Sequence, residues 1–293
     1  MLPAAAEGAG PSPGSVPPEA AALPCRPLSF RELLDLPFAV IQSHVRPLAG
    51  LVGAAVAIAA GSVVAITAAG SALTEGSDIG TAWSAVLSTL AFAWLLRWYV
   101  RGIAVPLGLA SAHRRAITWR AAARGPTANA GRLLRYRAMS TAIGLGVLIP
   151  GAALIITLPP ALAWLGWLRA RRCLIAPVLF DEPVPYRDAA ARARNLAAGA
   201  QWRLSGVWLS LRALLLVLVV PLLGVVLLVA EVSGTHRWAT IVLATAAVLF
   251  LTAASEVVES ASDVVAYVDR CCRREGRDIR LPAGPGTVRT VVT

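Results

Sequence analysis

The feature that most constrains this chain is the run from Leu48 to Leu73, which carries no charge. About 20 apolar residues at a rise of 1.5 Å each cross a hydrocarbon core of about 30 Å, whereas a water-soluble core has no need of so long a run. The chain holds several comparable stretches. One begins near Ala82 and continues toward Leu109, interrupted only by Arg97 and Arg101. Another extends from Ala138 to Phe180, a further one from Leu204 to Ala230, and the last from Trp238 into the segment that carries Glu256. Composition agrees: 57% of residues are hydrophobic and 15% charged, against about 25% charged in an ordinary soluble domain. The expected fold class is all-α, a polytopic helical membrane protein.

The stretch from Ala138 to Phe180 is too long for one crossing, and Pro150-Gly151 or Pro159-Pro160 could open a hairpin within it. One span placed before Pro159 and one after it give about six transmembrane helices. The fourth is the weak one, because Arg169, Arg171 and Arg172 follow Pro160 closely. It is either a short, tilted span with snorkelling arginines or part of a re-entrant segment between Pro150 and Ala170. Arginine sets the orientation, since loops rich in Arg and Lys stay cytoplasmic. The formal charge of +11 comes from 27 arginines and no lysine against 16 acids. Arginines crowd the segments His113 to Arg137, Tyr186 to Arg203 and Arg270 onward, and Arg26, Arg31 and Arg46 precede the first span. Only Arg237 falls on a connection assigned to the outside. Six spans with both termini cytoplasmic put every arginine-rich segment on one side of a plasma membrane.

Residues 1–27 are rich in Ala, Pro and Gly and have little to bury, so a disordered tail is expected there; they lack the basic n-region and apolar h-region of a signal peptide. The membrane domain then covers 28–282, with a flexible tail at 283–293. Ser29-Phe30-Arg31-Glu32 fits a capping box, and Leu33, Leu34, Phe38 and Ile41 supply an apolar face for a short helix in the membrane interface. Each hairpin of spans has such a polar, amphipathic stretch before it, meeting the membrane at His44-Val45-Arg46, at Arg132-Leu133-Leu134-Arg135-Tyr136 and at Gln201-Trp202-Arg203. The pattern suggests a threefold unit of one interfacial helix and two spans.

A charged side chain at the centre of a span costs roughly 2.5 to 3.5 kcal/mol on insertion scales, so such residues are paired or functional. Arg97 and Arg101 are four apart and share a helix face, and Glu256, Glu259 and Asp263 follow a 3, 4 spacing on another. Counted from the outer ends of their spans, Arg97 lies about 22 Å deep and Glu256 about 27 Å. The arginine pair is therefore expected to face the acidic stripe, with Arg212 and the cluster Arg169, Arg171 and Arg172 completing a charged belt in the cytoplasmic third. Simple exposure at the interface, or an ion pathway, would also explain such a belt.

The last helix ends Tyr267-Val268-Asp269-Arg270-Cys271-Cys272-Arg273-Arg274-Glu275-Gly276-Arg277-Asp278. This resembles the Tyr-x-Asp-x-Arg-x-Arg-x-Glu-Gly-x-Asp ending of a multi-span membrane protein family of high-GC Gram-positive bacteria, itself similar to the membrane domain of some glycerophosphodiester phosphodiesterases. Leu174 to Glu182, Ala189 to Arg203 and Leu28 to Asp35 fit the same family, although Cys271 stands where its first arginine is usual. The resemblance implies a fold and a membrane location and little chemistry. In physical terms Tyr267 suits the interface, and Arg273 and Arg274 would meet anionic headgroups at about 1 kcal/mol each. Asp269 belongs to the same interfacial motif. Glu275 and Asp278 would pair with Arg274 or Arg277, and Gly276 would stop the helix.

Catalysis finds no support in the residue pattern. There is no nucleophile elbow, phosphate loop or HExxH run, and Cys25, Cys173, Cys271 and Cys272 form no metal-binding spacing with the scattered histidines. No metal or cofactor is expected. Nor is nucleic-acid binding, despite a pI near 11, because the arginines are spread among loops and not gathered in one domain. The expected partners are the bilayer, its anionic headgroups at the cytoplasmic face, and other membrane proteins. The expected role is a non-enzymatic accessory or scaffold module of the cell envelope; the alternative is a transporter or channel using the charged belt.

Overall fold

The chain enters its first helix through a closed ring of hydrogen bonds. Ser29 Oγ accepts from the Glu32 amide at 3.3 Å, Glu32 Oε2 accepts from the Ser29 amide at 2.7 Å, and Arg26 pairs with the same carboxylate. Together these satisfy amides that a helix start leaves free. A computed structural model describes residues 23–24, 26–115, 117–153, 157–182, 184–232 and 236–276. The tail at 1–22, Cys25, the side chain of Arg237, Asp278 and the tail at 283–293 lie outside the described residues.

Among those residues the regular structure is entirely helical. The order is α1 (Phe30–Ser43), α2 (Val45–Leu73), α3 (Asp78–Ala112), α4 (Trp119–Ala128), α5 (Ala130–Ala153), α6 (Leu158–Ala170), α7 (Ile175–Asp181), α8 (Tyr186–Ala197), α9 (Gln201–Val232) and α10 (His236–Glu275). Three times a short helix, α1, α4 or α8, runs almost directly into a long one. Four helices are long and apolar enough to cross a membrane: α2, α3, α9 and α10. Their outer portions expose large apolar side chains, including Ile58, Ile66, Leu90, Leu216 and Val220. A soluble protein rarely shows so much contiguous apolar surface.

The stretch from 138 to 180 departs from the expected pair of spans. Helix α5 continues through Pro150, and α6 takes Pro159 and Pro160 into its first turn, where a missing N–H costs little. Helix α6 has 13 residues, which reach only about 20 Å at 1.5 Å per residue. Helix α5 begins with Arg132, Arg135 and Arg137 inside it. Neither is among the four helices that are long and apolar enough, by length and composition, to cross a membrane.

Helix α10, with 40 residues, is about 60 Å long at the same rise, twice a hydrocarbon core. Its surplus length enters a second layer. Ala261, Val264, Val265, Tyr267 and Cys271 bury against α1, α7, α8, the end of α3 and the start of α9, and this is where the main core sits. Helix α1 joins that layer through Leu33, Pro37 and Val40 and leaves Phe30 and Phe38 exposed. The face expected to meet lipid thus packs largely on protein. Helix α4 lies against α3 where Gly102 meets Pro126; a Cβ on Gly102 would come within 2.8 Å of the Pro126 Cα.

The ring at the start of α1 pulls the Glu32 carboxyl from 4.5 down to about 2, chiefly through the Ser29 amide and then Arg26. A lowered folded-state value means that the charge stabilises α1 above about pH 4.5, and that this contribution is lost as pH falls toward 2. We therefore expect Glu32→Gln to lower the Tm in detergent slightly at pH 7, with variant and wild type converging at pH 2 by circular dichroism.

Candidate functional site

Helices α3 and α10 form the most extensive pair in the molecule, and the charged residues meet between them. Arg97 and Arg101 lie one turn apart on α3, while Glu256, Glu259 and Asp263 run along the facing stripe of α10. Arg97 donates from Nε to Glu256 at 2.6 Å and from Nη2 to Glu259 at 3.1 Å. Arg101 donates from Nε to Glu256 at 2.5 Å and from Nη1 to Asp263 at 3.0 Å. Arg101 is 1% exposed and Glu256 0%, so neither charge is screened by water, and each depends on its partners.

The other belt residues divide. Arg212, from α9, donates to Glu259 at 2.7 Å, and Arg169, at the end of α6, pairs with the same carboxylate. The indole of Trp208 lies beside both guanidinium groups, with centroid distances of 5.6 and 5.8 Å, so the ring's electron-rich face adds to their stabilisation. Arg171 and Arg172 stand apart from this network. Arg171 covers the ring of Trp167 at 4.8 Å, and Arg172 lines a neighbouring cavity. Both follow the last turn of α6.

Two members of the network escaped the sequence reading. Tyr136 is buried, and its hydroxyl accepts from Arg101 Nη1 at 2.8 Å with the ring 5.1 Å from the guanidinium. Arg137 brings Nη1 to 3.8 Å from Glu256. Both belong to the segment taken as a cytoplasmic loop; the signal was their position just before an apolar run, with Tyr136 and Arg137 adjacent to it. Helix α5 also reaches α3 through Trp94, which donates to Thr141 at 2.9 Å.

The C-terminal motif makes a set of contacts within the protein. Tyr267 is 1% exposed and donates its hydroxyl to Asp181 at 2.7 Å, because α10 enters the second layer before it ends. Asp269 accepts from the Leu28 amide at 2.8 Å and from Arg273 Nε at 2.9 Å. Arg273 also donates to the Leu28 carbonyl at 2.6 Å, and Arg274 donates to that of Ala198 at 2.7 Å. These arginines satisfy backbone carbonyls. Glu275 pairs with Arg192 of α8 at 2.8 Å, and its other expected partner, Arg277, lies outside the described residues. Gly276 has a φ of 58°, the left-handed conformation that ends a helix.

Among the described residues no cluster of three or more His, Cys, Asp or Glu side chains could hold a metal ion. Cys173, Cys271 and Cys272 are buried. No protein-family profile, curated protein or solved structure matches the chain.

Removing one member of a buried ion cluster leaves its partner's charge uncompensated, which typically costs about 3 to 5 kcal/mol. Arg101→Gln and Glu256→Gln are expected to lose about that much, measured by unfolding in detergent. Arg97→Gln, whose side chain is 21% exposed, should lose clearly less.

Proposed function

We propose that the chain is a multi-pass plasma-membrane protein with both termini cytoplasmic, which acts without catalysis as an accessory or scaffold module of the cell envelope. In this reading α2, α3, α9 and α10 cross fully, α5 and α6 form a shorter hairpin to complete about six segments, and α1, α4 and α8 lie near the cytoplasmic interface. One observation carries the structural role of the belt: its three acids are engaged by its own arginines. Glu256 meets Arg97, Arg101 and Arg137; Glu259 meets Arg97, Arg169 and Arg212; Asp263 meets Arg101. A carboxylate so held is a lock between helices and a poor relay, since releasing it strands charge in a low dielectric.

Around α4 the chain exposes Arg114, Arg115, Arg120, Arg124, Arg132 and Arg135. They supply a basic surface for anionic headgroups and for acidic segments of other envelope proteins. The resemblance of the C-terminal motif to a multi-span membrane family favours the same location.

A cavity beside the belt favours a second reading, a transporter or channel. Two measurements separate them. Full-length protein purified in mild detergent should retain a stoichiometric membrane partner that is released when Arg120 and Arg124 are changed to Gln. Protein reconstituted in liposomes should give no ion or proton flux above empty vesicles. Reproducible flux that disappears in Glu259→Gln would overturn the scaffold reading.

A further inference from the structure

The belt does not balance its own charge. Arg97, Arg101, Arg137, Arg169 and Arg212 face only Glu256, Glu259 and Asp263, which is five positive groups against three negative. Arg172 adds a sixth that forms no ion pair among the described residues. The surplus is concentrated on one side, at a cavity of about 720 Å³ bounded by α5, α6, α9, α10 and, through Arg97, α3. Arg97, Arg137, Arg169, Arg172 and Arg212 line it, and no carboxylate does. Three of these guanidinium groups hold buried nitrogens with no hydrogen-bond partner among the described residues: Arg137 through Nε, Arg172 through Nη1, and Arg169, which is already ion-paired with Glu259, through Nε and Nη2. Arg137 is 8% exposed. Uncompensated positive charge and unsatisfied donors at one buried wall call for an anion with several acceptor oxygens.

The rest of the cavity excludes a merely hydrophilic occupant. Away from the arginines the walls are Ile143, Leu148, Leu162, Leu216, Val219 and neighbours of the same kind. Along α5 the distance from Arg137 to Leu148 is about 16 Å, and along α9 that from Arg212 to Val219 is about 10 Å, at 1.5 Å per residue. The volume lies within the usual range for a ligand site, about 300 to 1,000 Å³. An anion at one end and an apolar wall of this length at the other match a single amphiphile lying along the helices. Tyr136, Thr141 and Ser255 add hydroxyls at the polar end.

We propose that this cavity binds one anionic phospholipid, with its phosphate against Arg137 and Arg172 and its hydrocarbon chain along Leu148, Leu162 and Val219. The phosphate supplies the negative charge that the belt lacks and offers acceptor oxygens to the guanidinium groups of Arg137 and Arg172. The site is separate from the exposed arginines around α4. It rests on the membrane placement of α9 and α10 and not on the accessory role.

Native mass spectrometry of the full-length protein, released from detergent and titrated in turn with phosphatidylglycerol, phosphatidylcholine and inorganic phosphate, tests the assignment. The wild type should retain one phosphatidylglycerol and bind it at least about tenfold more tightly than phosphatidylcholine, the worth of one charge-assisted contact. Arg172→Gln should weaken phosphatidylglycerol by about the same factor, since one phosphate contact is removed. Leu148→Trp, which fills the apolar end and leaves the arginines alone, should also reduce it. Inorganic phosphate binding as tightly as phosphatidylglycerol, and unaffected by Leu148→Trp, would overturn the lipid assignment in favour of a free anion. Equal retention of the two lipids by the wild type would overturn it without recourse to any variant. So would phosphatidylglycerol binding that neither substitution changes.

Discussion

The meeting of Arg101 with Glu256 is the interaction on which the rest depends. Both side chains are shut away from solvent, in a part of the chain where most other side chains are apolar. Dispersion alone discriminates weakly between helix arrangements in such a setting, because lipid tails are as apolar as the helices themselves. Charge discriminates strongly. A guanidinium on α3 that does not meet an acid on α10 leaves two uncompensated charges in a low dielectric, so the pairing fixes the rotation and axial register of both helices. The remaining arginines then converge on Glu256 and Glu259 from α5, α6 and α9.

Below that lock the molecule changes character. The outer parts of α2, α3 and α9 present apolar side chains outward, while the continuation of α10 is enclosed by short helices and buries its side chains as a soluble core would. Asp269 ties the segment before α1 to α10 there. It holds the Leu28 amide ahead of α1 and is supported by Arg273 one turn along. Arg203, at the start of α9, donates to the Leu28 carbonyl. The segment that leads into α1 is therefore stapled to α10, and the arginine-rich segments owe part of their order to carbonyls they cap.

Much of this was legible in the residues. The uncharged run from Leu48 to Leu73 and the apolar stretches around Leu214 and Val248 specify long helices through hydropathy alone, and Ser29 with Glu32 specifies the start of α1. The facing of Arg97 and Arg101 toward Glu256, Glu259 and Asp263 follows from helical spacing and similar depth. What periodicity could not supply was where a helix leaves the membrane. Tyr267 carries the same residue type at an interface or in a core, and only the packing of α7 beside it decides that its hydroxyl meets Asp181. The same limit hid Tyr136 and Arg137, since a basic residue before an apolar run reads as a loop signal until the helix is seen to begin at Ala130. Pro150, expected as a possible hairpin, remains inside α5, which sequence rules for soluble helices do not anticipate.

A double-mutant cycle on Arg101→Gln and Glu256→Gln, read by reversible unfolding of the full chain in detergent, addresses the lock most directly. Residues in one buried ion network should be coupled by about 0.5 to 3 kcal/mol, so the double variant should be markedly more stable than the sum of the single losses. Additive losses would contradict the pairing and with it the register of α3 on α10.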